Sequence, residues 1–160
     1  MIEKIGKWID KCSDFGAYLS SVFMILIVVL ILIEIFLRTF LKTSTLISDE
    51  YSAYFFVVVV MLGLSYTFKE NGHIRITLIL SRLSKKNEKI FDIITSFIAL
   101  ILTSFMFYHS LLMVIDTCKL DMRADSIAET PLYIPQIAIP LGFFIFSLQI
   151  LFRIIGRIRK

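Results

Sequence analysis

The chain has 160 residues, 58% of them hydrophobic, and a mean hydropathy of +0.84. That excludes a soluble domain, and the apolar runs leave no room for a separate one between them. The net charge of +4 sits on lysines and arginines beside the apolar runs, which argues against nucleic acid and for a membrane surface. Only helices or a closed barrel can span lipid, because every backbone polar group there must be satisfied internally. The runs are continuous rather than alternating, so helices are expected.

Residues 1–17 place Ile2, Ile5, Ile9 and Cys12 at helical spacing, with Lys4, Lys7 and Lys11 on the other side and Trp8 beside them. This suits a short interfacial helix with Trp8 at headgroup depth; a water-facing extension of the first span is the other reading. The first apolar run is too long for a cleavable signal and no small-residue cleavage site follows it, so it is expected as a retained span. Span one covers about 18–40. Glu34 and Arg38 lie one turn apart near its end, with the acid N-terminal, the favourable order for a helical ion pair. Glu34 lies about 24 Å along the span, near its exit boundary. An ionisable residue in a span is a functional candidate, but this one has a built-in partner, which favours a structural role.

The loop at 41–48 is short, so spans one and two are expected to be antiparallel neighbours. Span two covers about 51–68; Asp49 and Glu50 before it complement the helix dipole, and Gly63 is small enough for close helix contact. The run breaks at Asn71-Gly72. From His73 to Lys89, Arg75, Arg82, Lys86 and Lys89 fall on one side and Ile76, Ile79, Leu80 and Leu83 on the other, as in a helix lying in the interface. Span three covers about 90–115. A far loop follows, in which Asp116, Asp121, Asp125 and Glu129 outnumber Lys119 and Arg123. It lacks the ligand spacing and glycine of a calcium loop and reads as a solvated acidic surface suited to docking. Span four covers about 132–155, with Pro135 and Pro140 in its first turns.

Charge sets the orientation. Putting both termini and the span two–three connection on one side leaves only Arg38, Lys42, Lys119 and Arg123 on the other, so the first side is expected to be cytoplasmic. The expected fold is all-α: one domain with four transmembrane helices, both termini cytoplasmic, plus interfacial amphipathic helices. Cys12 and Cys118 then lie on opposite sides, which disfavours a disulfide. No phosphate-binding glycine loop, metal-spaced Cys/His cluster or Ser-His-acid set is present. His73 and His109 lie near opposite surfaces, which excludes bis-histidine haem ligation. No cofactor and no enzymatic activity are expected. Spans three and four offer no charged path, so the chain reads as a subunit that packs on something larger.

The pattern resembles the small membrane subunit of TRAP transporters, the tripartite ATP-independent periplasmic carriers, over nearly the whole chain. The resemblance rests on Arg38 and Phe40 near the end of span one, Glu50 and Tyr54 opening span two, and Gly63 within it. It also rests on Gly72-His73-Ile74-Arg75-Ile76 after span two, and on Pro135, Pro140 and Gly142 in span four. Ile47-Ser48 and Gln136 stand where the family often has tryptophan. The resemblance implies a multi-pass inner-membrane protein in a sodium-coupled importer of organic acids, such as C4-dicarboxylates or sialic acid. A large elevator-type membrane subunit carries the substrate and sodium sites, and a periplasmic binding protein delivers the substrate. The small subunit is expected to be a non-catalytic scaffold. Glu34, Arg38, Glu50, Tyr54 and Gly63 are its interface or structural candidates. Trp8, Gly72, His73, Arg75, Arg82 and Lys86 are candidates for anchoring to membrane lipids, and Asp121, Asp125 and Glu129 for docking the binding protein. The competing expectation is a small proton-coupled multidrug antiporter with Glu34 as the coupling acid, which requires that carboxylate unpaired and accessible.

Overall fold

The computed structural model describes residues 2–70 and 85–159. Helix α1 runs Ile2–Phe36, and its end widens into a π turn over Leu37–Leu41. Helix α2 is Ser48–Lys69, α3 is Lys85–Lys119, α4 is the single turn Tyr133–Gln136, and α5 is Ala138–Arg159. Four of these helices are long and apolar enough to cross a membrane. No strand is present among the described residues.

The helices differ from the expected spans mainly in length. No break separates residues 1–17 from span one, because nothing between Ile2 and Phe36 interrupts the backbone ladder; the chain holds no proline there. At 35 residues each, α1 and α3 are about 52 Å long, well beyond a hydrocarbon core of about 30 Å. Both therefore project past the lipid or tilt strongly within it. Helix α3 runs to Lys119, so Asp116 belongs to the helix and the far loop starts later than expected.

The packing order is not the chain order. Helix α1 lies on α2, α2 on α5, and α5 on α3, with a lighter contact between α1 and α5; α1 and α3 make no substantial contact. The helices therefore form an open row, α1–α2–α5–α3, rather than a closed bundle. The two outer helices keep long apolar flanks exposed, including Ile25, Leu32 and Phe36 on α1 and Phe97, Ile101 and Phe105 on α3.

Close backbone approach holds α1, α2 and α5 together. A Cβ on Gly142 of α5 would stand 2.6 Å from the Met61 carbonyl oxygen of α2, and one on Gly16 of α1 would stand 2.9 Å from that of Leu62. Two glycines thus clasp α2 from both sides at one level, the use small residues serve where no water drives helices together. Gly63, the glycine the sequence singles out, is less tightly placed: a Cβ there meets only Ser20 Oγ at 3.5 Å. Ser20 Oγ donates to the Val59 carbonyl at 2.8 Å, bridging α1 and α2. Edge-to-face rings continue the seams, Phe23 with Phe55 between α1 and α2 and Phe68 with Phe146 between α2 and α5.

Candidate functional site

The Glu34–Arg38 pair forms as the spacing predicts, with Arg38 Nε 2.6 Å from Glu34 Oε1. The carboxylate has four further donors that the sequence reading did not foresee. Ser44 Oγ donates to Oε1; Thr45 N at 3.1 Å, Thr45 Oγ1 at 2.6 Å and Ser48 Oγ at 3.0 Å donate to Oε2. Glu34 is only 6% exposed. The reason is local. Lys42 turns the chain back in the left-handed region (φ 52°), and Leu46 adopts the same region (φ 61°), both rare for residues other than glycine. The carboxylate gathers the hydroxyls of this reversal and offsets the strain it stores. Arg38 keeps a largely exposed side chain beside the closed knot.

Glu50, in the first turn of α2, accepts from Tyr54 OH at 2.7 Å, one turn along the helix. Ser126 and Thr130 of the far loop lie beside its carboxylate, and Thr130 Oγ1 donates to Tyr51 OH at 3.3 Å. Glu50 therefore meets the far loop as well as its own helix. That loop folds on itself: Arg123 and Pro131 form an antiparallel bridge, and Ala124 N–H donates to the Thr130 carbonyl at 2.9 Å. Asp121, Asp125 and Glu129 are exposed on it, and Asp121 and Glu129 have positive φ. Asp121 sits 3.4 Å from Arg123.

A second polar layer lies at the opposite ends of the helices, and sequence reasoning missed it. Asp92 of α3 is bridged by Arg157 Nε at 2.9 Å and approached by Arg153 Nε at 3.7 Å, both from α5. Arg153 also stacks over Phe68 of α2, 4.9 Å from the ring centre. Asp14 of α1 pairs with Lys69 of α2, and Gln149 Nε2 of α5 donates to Asp10 of α1 at 3.0 Å. One belt of charge thus ties all four long helices. The sequence signals were the i, i+4 pairs Asp10/Asp14 and Arg153/Arg157, which look like ordinary flanking charge until the helices are set side by side.

Trp8 is 72% exposed on the outside of α1, on the same side of the row as this belt. The anchor candidates Gly72, His73, Arg75 and Arg82 lie outside the described residues, as does the side chain of Lys86. His109 stacks on Phe105, ring centres 4.3 Å apart. Cys12 and Cys118 are both free thiols. Among the described residues no group of His, Cys, Asp and Glu could hold a metal ion. The antiporter reading required an open Glu34; five donors close it.

The arrangement is that of a multi-pass helical membrane protein whose charges lie in two end layers. Between them no Asp, Glu, Lys or Arg occurs at 15–33, 51–68, 93–115 or 132–152. Residues 27–160 match the family of tripartite ATP-independent periplasmic transporters, DctQ component. The chain is also 26% identical over 141 residues to a Haemophilus influenzae protein whose name places it among TRAP transporter small permease proteins, covering 88% of this chain and 84% of the relative. The chain belongs to the DctQ component family: it is a multi-pass inner-membrane subunit of a TRAP transporter and not an enzyme.

Proposed function

We propose that this chain is the scaffold of its transporter: it braces and widens a large membrane subunit that carries substrate and coupling ion, and does no transport chemistry itself. The observation that carries the reading is the separation of charge. Every acidic or basic residue of the four long helices lies in an end layer, and the apolar middle offers no stepping stone for an ion or a carboxylate. The open row supports it further, because its outer helices leave apolar flanks against which a larger helical partner can pack.

The transported substrate is an organic acid, in the class of C4-dicarboxylates or sialic acid, and its uptake is coupled to sodium through the large subunit. Both termini face the cytoplasm, which puts the Asp92–Arg153–Arg157 belt at the inner surface and the Glu34 knot and acidic loop at the periplasm. Asp121, Asp125 and Glu129 contribute to the surface that receives the periplasmic binding protein, and Glu34 with Arg38 shapes span one for the large subunit. Trp8 and the basic segment after span two hold the chain at the inner membrane surface.

The test is uptake of labelled organic acid in cells that carry the binding protein and large subunit. Deleting this chain abolishes uptake. Glu34→Gln retains uptake wherever the complex still assembles. An assembled Glu34→Gln complex without uptake would contradict the scaffold reading and make Glu34 a coupling acid.

A further inference from the structure

At the charged belt, α1, α2 and α5 do not close completely. Between them lies a pocket of about 270 Å³ lined by Gly6, Asp10, Phe68, Lys69, Gln149, Phe152 and Arg153. Its lining is chemically divided. Lys69, which also pairs with Asp14 and lies 3.9 Å from Glu70, and Arg153, which lies 3.7 Å from Asp92, present cations with several N–H donors each. Asp10 presents an anion. Gln149 is 8% exposed; its Nε2 donates to Asp10, and its Oε1 is buried without a hydrogen-bond partner. A buried acceptor left unmade costs about 1–3 kcal/mol, so such atoms in folded proteins find a donor. Gln149 and Asp10 line the same pocket, so a donor seated there stands beside an acid, a place that favours positive charge.

We propose that this pocket binds the headgroup of an aminophospholipid. Lys69 and Arg153 take the phosphate, while Asp10 and Gln149 Oε1 take the primary ammonium. Basic pockets between spans at a membrane surface are established places for lipid headgroups. Here the acid and the orphaned amide oxygen add selectivity for a headgroup with N–H donors. Phe68 and Phe152 give the site apolar walls toward the lipid. The proposal does not rest on the scaffold reading or on which side is cytoplasmic, because the belt lies at a membrane surface either way.

The test uses full-length protein, purified in mild detergent and delipidated, then offered dioleoyl lipids with ethanolamine, choline or glycerol headgroups. Bound lipid is counted by native mass spectrometry. Choline keeps the charge of ethanolamine but has no N–H. The expected result is retention of the ethanolamine lipid about three- to tenfold above the choline lipid, the worth of one or two hydrogen bonds. Gln149→Leu abolishes that preference, and Lys69→Gln lowers retention of both lipids. Gly6→Leu blocks the pocket from a position whose Cβ meets Phe152 at an ordinary 3.5 Å, so it serves if Gln149→Leu does not fold. Equal retention of ethanolamine and choline lipids, preference for the glycerol lipid, or a preference that survives both Gln149→Leu and Gly6→Leu overturns the proposal. Full displacement by millimolar phosphoethanolamine assigns the pocket to a soluble ligand and overturns the lipid source.

Discussion

Substituting Gly142 by alanine attacks the closest glycine contact among the described residues. The added Cβ would stand 2.6 Å from the Met61 carbonyl oxygen, 2.7 Å from its Cβ and 2.9 Å from its carbonyl carbon. Ordinary contact begins at 3.4 Å, so α5 must retreat from α2 by about 0.8 Å; at Gly16 the equivalent retreat is about 0.5 Å. A gap of about 0.5–1 Å forfeits a quarter to a half of each dispersion well along the seam. Neither obstacle can swing aside, because backbone atoms form most of it. Overpacking of this kind costs about 1–3 kcal/mol. Alanine recovers about 0.5–1 kcal/mol over glycine through backbone entropy. The net expectation is a loss of about 1–2 kcal/mol for Gly142→Ala and less for Gly16→Ala. Gly156→Ala, with nothing within 4 Å, is neutral or slightly stabilising. The assay is unfolding in mixed micelles by titration with sodium dodecyl sulfate, followed by far-ultraviolet circular dichroism. If Gly142→Ala proves as stable as Gly156→Ala, the close crossing of α2 and α5 is not the seam described.

Glu34→Ala frees the Thr45 N–H, so hydrogen exchange at 42–47 accelerates by at least about tenfold while the middle of α2 is unchanged, and Glu34→Gln gives a smaller effect; equal exchange in wild type and Glu34→Ala contradicts the knot. Asp92→Ala and Arg157→Ala are expected to be non-additive, with a coupling energy of about 0.5–3 kcal/mol in a double-mutant cycle that weakens as salt rises. Additive losses would mean that the 2.9 Å bridge contributes nothing. In a Cys12→Ser background the exposed Cys118 is expected to react with a membrane-impermeant maleimide from the periplasm; protection until the inner membrane is broken would reverse the orientation.

Much of this fold is legible in the sequence because a span announces itself by length and apolarity, and an i, i+4 ion pair by spacing alone. Glu34 and Arg38 are within one turn, so their contact needs only a helix. The donors from Ser44, Thr45 and Ser48 need the reversal at Lys42, a left-handed lysine that no turn residue signals. A cluster of hydroxyl residues about ten positions beyond an intramembrane acid, across a short loop, was the available clue. The lateral order of helices was not legible, because apolar periodicity does not name a neighbour in lipid. That is why nothing in the sequence singles out Asp92, Asp10 and Asp14, and why Gly63 rather than Gly16 or Gly142 is expected at the close helix contact. The unbroken α1 matches the second of the two readings of residues 1–17, because amphipathic residues before a span fit an interfacial helix and a projecting one alike.

The central claim is that this chain works only as part of a larger membrane complex. The most direct measurement is purification of the tagged chain from native membranes in mild detergent, with the bound chains identified and their ratio determined. A large polytopic subunit recovered near one-to-one is the predicted result. Recovery of this chain only as a homodimer would contradict the account and reopen Glu34 as a transport residue.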